Sequence, residues 1–273
     1  MDQLILASGE CDLSTSSVCA PEDVRELFEF RQIIFEIGGF PITRTVVLIF
    51  LVALLAMALM FFGLRKRSVL PGRFQAAIEG LMGFVRDEVA VGIIGPEGIR
   101  FFPYLMALFI FIFIGNIFEV TPFINFPITS RMAIPLFLAL LTWVIFITVG
   151  FKRNGFSYLT GIIWPPGVPT FLKPLVGIIE FFSIFFVRPF SLAVRLFANL
   201  VAGHVMLSLL LLTGYVSLVT IFDIGVVKGL FGFAWWALAL AIYMFELIVI
   251  LLQAYIFTLL SAVYIETSMH VEH

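Results

Sequence analysis

Twenty consecutive residues, Thr45 to Leu64 (TVVLIFLVALLAMALMFFGL), carry no charged side chain. At a helical rise of about 1.5 Å per residue such a run spans about 30 Å, the thickness of a bilayer's hydrocarbon core. The composition agrees with the run: 62% of the 273 residues are hydrophobic and only 12% are charged, where ordinary soluble domains carry about 25% charged residues. A bilayer is therefore the main solvent, and the expected fold class is an all-α integral membrane protein. With a formal net charge of -2 and no long basic run, nothing points to nucleic acid as a partner.

The whole chain, 1–273, reads as a single membrane domain of about five membrane-crossing helices. Residues 1–40 are polar and acidic, without the basic start and apolar core of a signal peptide, and are expected to face water. The first crossing ends at Arg65-Lys66-Arg67, so the positive-inside rule puts that end in the cytoplasm and the N-terminus outside. Residues 71–95 carry Arg73, Glu79, Arg86, Asp87 and Glu88 at helical spacing, which suits an interfacial amphipathic helix rather than a crossing. Phe101 to Val120 and Met132 to Gly150 are the second and third crossings, with Pro122 and Pro127 between them and Lys152 and Arg153 closing the third. The basic residues again fall on the inner side. A loop with Trp164-Pro165-Pro166 and Pro169 follows.

The last two segments are oversized. Residues 174–222 contain no polar loop, and as one helix would run about 73 Å; residues 230–265 would run about 54 Å. Two long, steeply tilted helices joined by a short outer loop around Asp223 and Lys228 satisfy both lengths, and something other than lipid then has to flank them. An odd number of crossings leaves the C-terminus inside.

Arg195 lies near the middle of the first of these helices, within PFSLAVRLFANLVAGHVM. A charged side chain at membrane depth costs several kcal/mol unless it meets water or an anion, which makes it a functional candidate. A guanidinium does not shed its proton, so it is a fixed cation. At 100° per residue, Arg188, Ser191, Arg195, Asn199, Ala202 and Met206 share a stripe, while His204 projects from nearly the opposite face. On the last helix Glu246 and Gln253 are seven residues apart and share a face. Together with Glu180 these residues place two acids, a histidine and two amides at membrane depth beside a permanent cation, the kind of set a proton path needs. A structural ion pair of Arg195 with Glu180 or Glu246 is the plainer alternative.

The run RPFSLAVRLFANLVAG from Arg188 to Gly203 and the run LQAYIFTLLSAVY from Leu252 to Tyr264 resemble the paired signature helices of F-type ATP synthase subunit a. The resemblance extends through IIEFFS around Glu180 and FIGNIFEVTP around Asn116 and Glu119, and so covers roughly residues 100–265. It implies a non-catalytic, proton-translocating stator subunit in an energy-transducing membrane, bacterial plasma membrane being the expected site. Its implied partners are the c-ring of the rotor, peripheral-stalk b-type subunits and lipid; it implies no cofactor and no metal. By position Arg195 corresponds to the family's essential arginine facing the c-ring carboxylates, with Asn199 and Gln253 as its polar neighbours. Glu180 corresponds to a group of the inner half-channel, and His204 and Glu246 to the outer half-channel pair. Ser191, on the arginine's stripe, is counted with this path.

In many bacterial members the acid and the histidine of that pair stand on the opposite helices, and Ala198 stands where the family usually has glycine; one added methyl there is expected to be tolerated. Asn116 and Glu119 fit an interfacial helix end as well as an outer channel mouth. Arg188 is expected to be structural, neutralising Glu180 or lipid phosphate, and Pro189 to kink its helix. The 33 phenylalanines read as lipid-facing packing, and the outer side would permit a disulfide between Cys11 and Cys19. A secondary ion-coupled transporter is the rival function; it normally shows an internal repeat, and the Arg195 neighbourhood occurs once. A redox subunit with a bis-histidine haem in the membrane is excluded, because two of the three histidines, His270 and His273, sit in the tail.

Overall fold

The computed structural model describes residues 33–37, 40–64, 72–121, 131–164, 169, 171–219 and 226–270. Cys11, Cys19, Arg65 to Arg67, Pro122, Pro127, Pro165, Pro166 and Asp223 lie outside them, as does the side chain of Glu119.

The helical membrane architecture expected from the sequence is present. Helix α1 (Arg44–Leu64) carries the first uncharged run. Helix α2 (Arg73–Phe84) continues through a π-helical segment, Val85–Val91, into a last turn, Gly92–Ile94. Its apolar side, with Ile78, Val85, Val89, Ala90 and Ile94, is buried, while Arg86 and Asp87 pair in water at 2.7 Å. Helix α3 (Phe102–Val120) has 19 residues, about 28 Å, enough for one crossing. Helix α4 (Ala133–Asn154) is the third crossing. Helices α6 (Lys173–Phe182) and α7 (Arg188–Val219) are joined by a π-helical segment, Ser183–Val187, into one continuous run. Helix α8 (Val226–Met269) has 44 residues.

The continuous run Lys173–Val219 has 47 residues, about 70 Å, and α8 is about 66 Å. Both exceed a hydrocarbon core of about 30 Å, so they cross it obliquely. The π segment has a local cause. Pro189 has no N–H to donate to the Phe185 carbonyl four residues earlier, and the helix accommodates the loss with a wider turn instead of breaking.

Four features were not anticipated. A two-stranded antiparallel hairpin, β1 (Ile33–Ile37) and β2 (Phe40–Thr43), precedes α1. A 3₁₀ turn, Pro96–Arg100, leads into α3. Helix α5 (Ser157–Ile163) occupies part of the stretch expected to be loop and packs on α6. Helix α8 begins earlier than expected, so that Lys228 already lies in its first turn. Val226 and Val227 extend the apolar run upstream of it, and lysine is itself a good helix former.

The core lies where α3, α4, α7 and α8 meet, filled by residues such as Phe109, Phe146, Leu196 and Phe257. Phenylalanine thus serves two purposes: these rings are buried, while Phe50, Phe61, Phe182 and Phe186 point outward from α1 and the α6–π run. The far end of α8 is tied down by polar contacts. Asn154 Nδ2 donates to the Ser268 carbonyl at 3.1 Å, and the Tyr158 and Ser268 hydroxyls lie 3.3 Å apart.

Candidate functional site

Helix α7 presents two unlike faces. Arg195, Ala198, Ala202 and Met206, spaced three or four residues apart, are exposed along one side. Leu192, Ala193, Leu196, Leu200, Gly203 and His204 are buried on the other. The spacing that placed Arg195 and His204 on opposite faces therefore corresponds to the two sides seen here, with Ser191 and Asn199 half-buried at the margin.

Arg188 leaves the outward stripe and turns to α8. Its guanidinium lies 5.3 Å from the Tyr264 ring centroid, and Nη1 donates to Thr267 Oγ1 at 3.4 Å. Its neighbours are thus an aromatic face and a hydroxyl on α8. Glu180 is half-buried on α6, one π segment earlier. Among the described residues no ion pair joins Arg195 or Arg188 to Glu180 or Glu246.

The inner side of α7 faces α8, its most extensive packing partner. His204 on α7 and Glu246 and Gln253 on α8 are all buried, 5%, 4% and 6% exposed. The Glu246 carboxyl lies against Gly203, where a Cβ would come within 2.6–2.7 Å of both its oxygens and its carboxyl carbon. Glu246 Oε1 and Gln253 Nε2 have no hydrogen-bond partner among the described residues. Groups so placed are the ones that water or a transferable proton would satisfy.

Helix α3 packs on α8. Asn116 is buried near its C-terminal end, and the Tyr243 hydroxyl of α8 donates to the Val120 carbonyl at 3.1 Å. Of the predicted residues, the structure thus sets Glu246 against Gly203 at the α7–α8 seam, buries His204 on α7 and Gln253 on α8, sets Asn116 on α3, and turns Arg195 to the outside. Gly203 and Tyr243 were missed. The signals were present in the sequence: a glycine beside the histidine, and a tyrosine one turn before the acid. Among the described residues no group of three His, Cys, Asp or Glu side chains is disposed to hold a metal ion.

The family model described as "ATP synthase A chain" matches residues 45–266. ATP synthase subunit a of Frankia alni is 40% identical over 224 residues, which cover 81% of this chain and 75% of that protein. ATP synthase subunit a of Rhodococcus erythropolis is 37% identical over 88% of this chain and 87% of its own length. For the Maricaulis maris protein of the same name the figures are 36%, 92% and 96%. The match takes in every helix from the first crossing to the last, and with it both faces of α7 and the seam with α8: this chain belongs to the ATP synthase subunit a family.

Proposed function

We propose that this chain is the proton-channel subunit of an F-type ATP synthase stator, in which Arg195 forces each proton onto the carboxylates of a rotating ring of c-type subunits. The observation that carries the proposal is the outward exposure of Arg195 at mid-helix, without an acidic partner of its own chain among the described residues. A permanent cation at that depth calls for an anion, and a neighbouring chain supplies it.

The chemistry follows from the charge. A rotor carboxylic acid crossing lipid is held protonated, because burial disfavours its charged form; beside Arg195 its pKa falls and the proton leaves. Since Arg195 does not deprotonate, protons do not pass directly between the two half-channels and must travel on the ring. His204, Glu246, Asn116 and Glu119 serve the outer half-channel, Glu180 the inner one, and Ser191, Asn199 and Gln253 flank the arginine. The energy available is about 2.3 kcal/mol per charge per 100 mV. The chain itself makes and breaks no covalent bond, and b-type stalk subunits hold it against rotation. Arg65 to Arg67, Lys152 and Arg153 orient it with the C-terminus in the cytoplasm and the N-terminus outside, in an energy-transducing membrane such as the bacterial plasma membrane.

The test is ATP-driven proton pumping by vesicles carrying the assembled complex with Arg195→Lys. Lysine can lose its proton in an apolar site, and pumping is expected to fall to background. Pumping at the unsubstituted rate would refute the role.

A further inference from the structure

We infer that Glu246 is seated from two sides by residues outside the proposed proton path: Gly203, whose missing side chain is the slot for the carboxyl, and Tyr243, whose hydroxyl fixes the α8 turn that carries it. This rests on the proposed function and adds two positioning residues to the outer path.

The slot is a matter of distance. A Cβ at position 203 would stand 2.6 Å from Glu246 Oε1 and 2.7 Å from Cδ and Oε2, where ordinary contact begins at 3.4 Å. Even one methyl would push the carboxyl away from α7 by most of an ångström. His204, next in the chain, is buried on the same side of the helix, so that displacement would carry the acid away from the turn bearing the histidine. Few side chains around it can yield, because both α7 and α8 are packed on their inner faces.

The second constraint lies one turn away on α8. Residues three apart share a helix face, so Tyr243 stands beside Glu246. Its hydroxyl donates at 3.1 Å to the Val120 carbonyl, one of the last carbonyls of α3, which have no acceptor role left within their own helix. The bond joins the turn that bears Glu246 to the end of α3 that bears Asn116. Removing the hydroxyl frees that turn and leaves the ring's packing in place.

The experiment measures ATP-driven proton pumping per assembled complex in membrane vesicles. Gly203→Ala is expected to lower the rate at least tenfold. Adding Glu246→Asp, one methylene shorter, is expected to restore the rate several-fold over Gly203→Ala alone, a coupling that a merely structural glycine would not show. Tyr243→Phe is expected to lower the rate three- to tenfold. Tyr104→Phe serves as control, since it removes another interhelical bond, to Thr142 at 2.7 Å, and is expected to stay within twofold. The inference is overturned if Gly203→Ala pumps normally, if its loss is not relieved by Glu246→Asp, or if Tyr104→Phe loses as much as Tyr243→Phe. Should Gly203→Ala fail to assemble, Tyr243→Phe against Tyr104→Phe decides. Glu246→Ala separates the two levels: normal pumping there defeats the outer path itself, whereas a loss there with Gly203→Ala unaffected defeats only the seating.

Discussion

The two faces of α7 differ in what they allow to change. On the outer face, the Arg195 guanidinium is flanked by Ala198, Ala202 and Met206, all exposed. On the inner face, His204 is buried and the Glu246 carboxyl of α8 lies beside Gly203. One helix thus separates an exposed cation from a buried histidine and its neighbouring acid by half a turn. The outer face sets two alanines and a methionine around one cation, which suits a surface that slides past a partner. The inner face is close-packed, which suits groups that must keep their distances. Substitutions on the two faces should therefore fail in different ways.

The largest effect is expected on the outer face. Arg195→Ala should reduce ATP-driven proton pumping to background while the complex still assembles, because an exposed side chain contributes little packing. Second come Glu246→Gln and His204→Ala, each expected to slow proton flux about a hundredfold in assembled complexes, the lower end of the roughly 10²–10⁴-fold that general acid–base groups contribute. Unchanged flux in both would take the seam out of the proton path. A third pair sharpens the contrast between the faces. Ala193 is fully buried on α7, and Ala193→Leu should overpack the core by about 1–3 kcal/mol, seen as less assembled complex on quantitative blotting. Ala202→Leu should leave the amount of complex unchanged and reduce pumping, since the added bulk meets the rotor. If both variants fail by losing assembly, the outer face is packing surface and not a sliding one.

The smallest effect lies away from the membrane path. Arg153 on α4 pairs with Glu97, and the guanidinium beside it holds the Glu97 carboxyl below its ordinary value. A depressed acid contributes stability above its unfolded-state pKa and loses it as pH falls through the folded-state value. The thermal midpoint of the solubilised protein should therefore drop slightly on acidification below the usual carboxylate range. Glu97→Gln should remove that part of the pH dependence, and an unchanged pH profile would show that the pair is inert. The pair is well exposed, so the effect is small.

The parts of this division that were legible in the sequence are those governed by length and period. Uncharged runs of bilayer length located the crossings, two oversized runs announced oblique helices, and 100° per residue separated Arg195 from His204. What escaped depended on contacts between segments distant in the chain. A π turn is invisible to a regular period, and Pro189 pointed to a kink without showing that Ser183–Val187 would absorb it. Helix α5 is too short for a periodic signal, and Tyr158 is buried because Gly150 on α4 leaves room for its ring. Arg188 was expected to neutralise Glu180 or phosphate; among the described residues it forms no ion pair with Glu180 and meets Tyr264 and Thr267, 76 and 79 residues further on by their numbers. Gly203 carries no chemistry of its own, so only the approach of Glu246 from another helix reveals its use.

The most direct test of the division between the faces is a side-chain-resolution density map of the intact complex. The account predicts the Arg195 guanidinium on the outer side of α7, facing a carboxylate on an adjoining ring of helices, with His204 and Glu246 on the far side. A guanidinium folded back onto Glu180 or Glu246, with lipid alone on its outer flank, would contradict it.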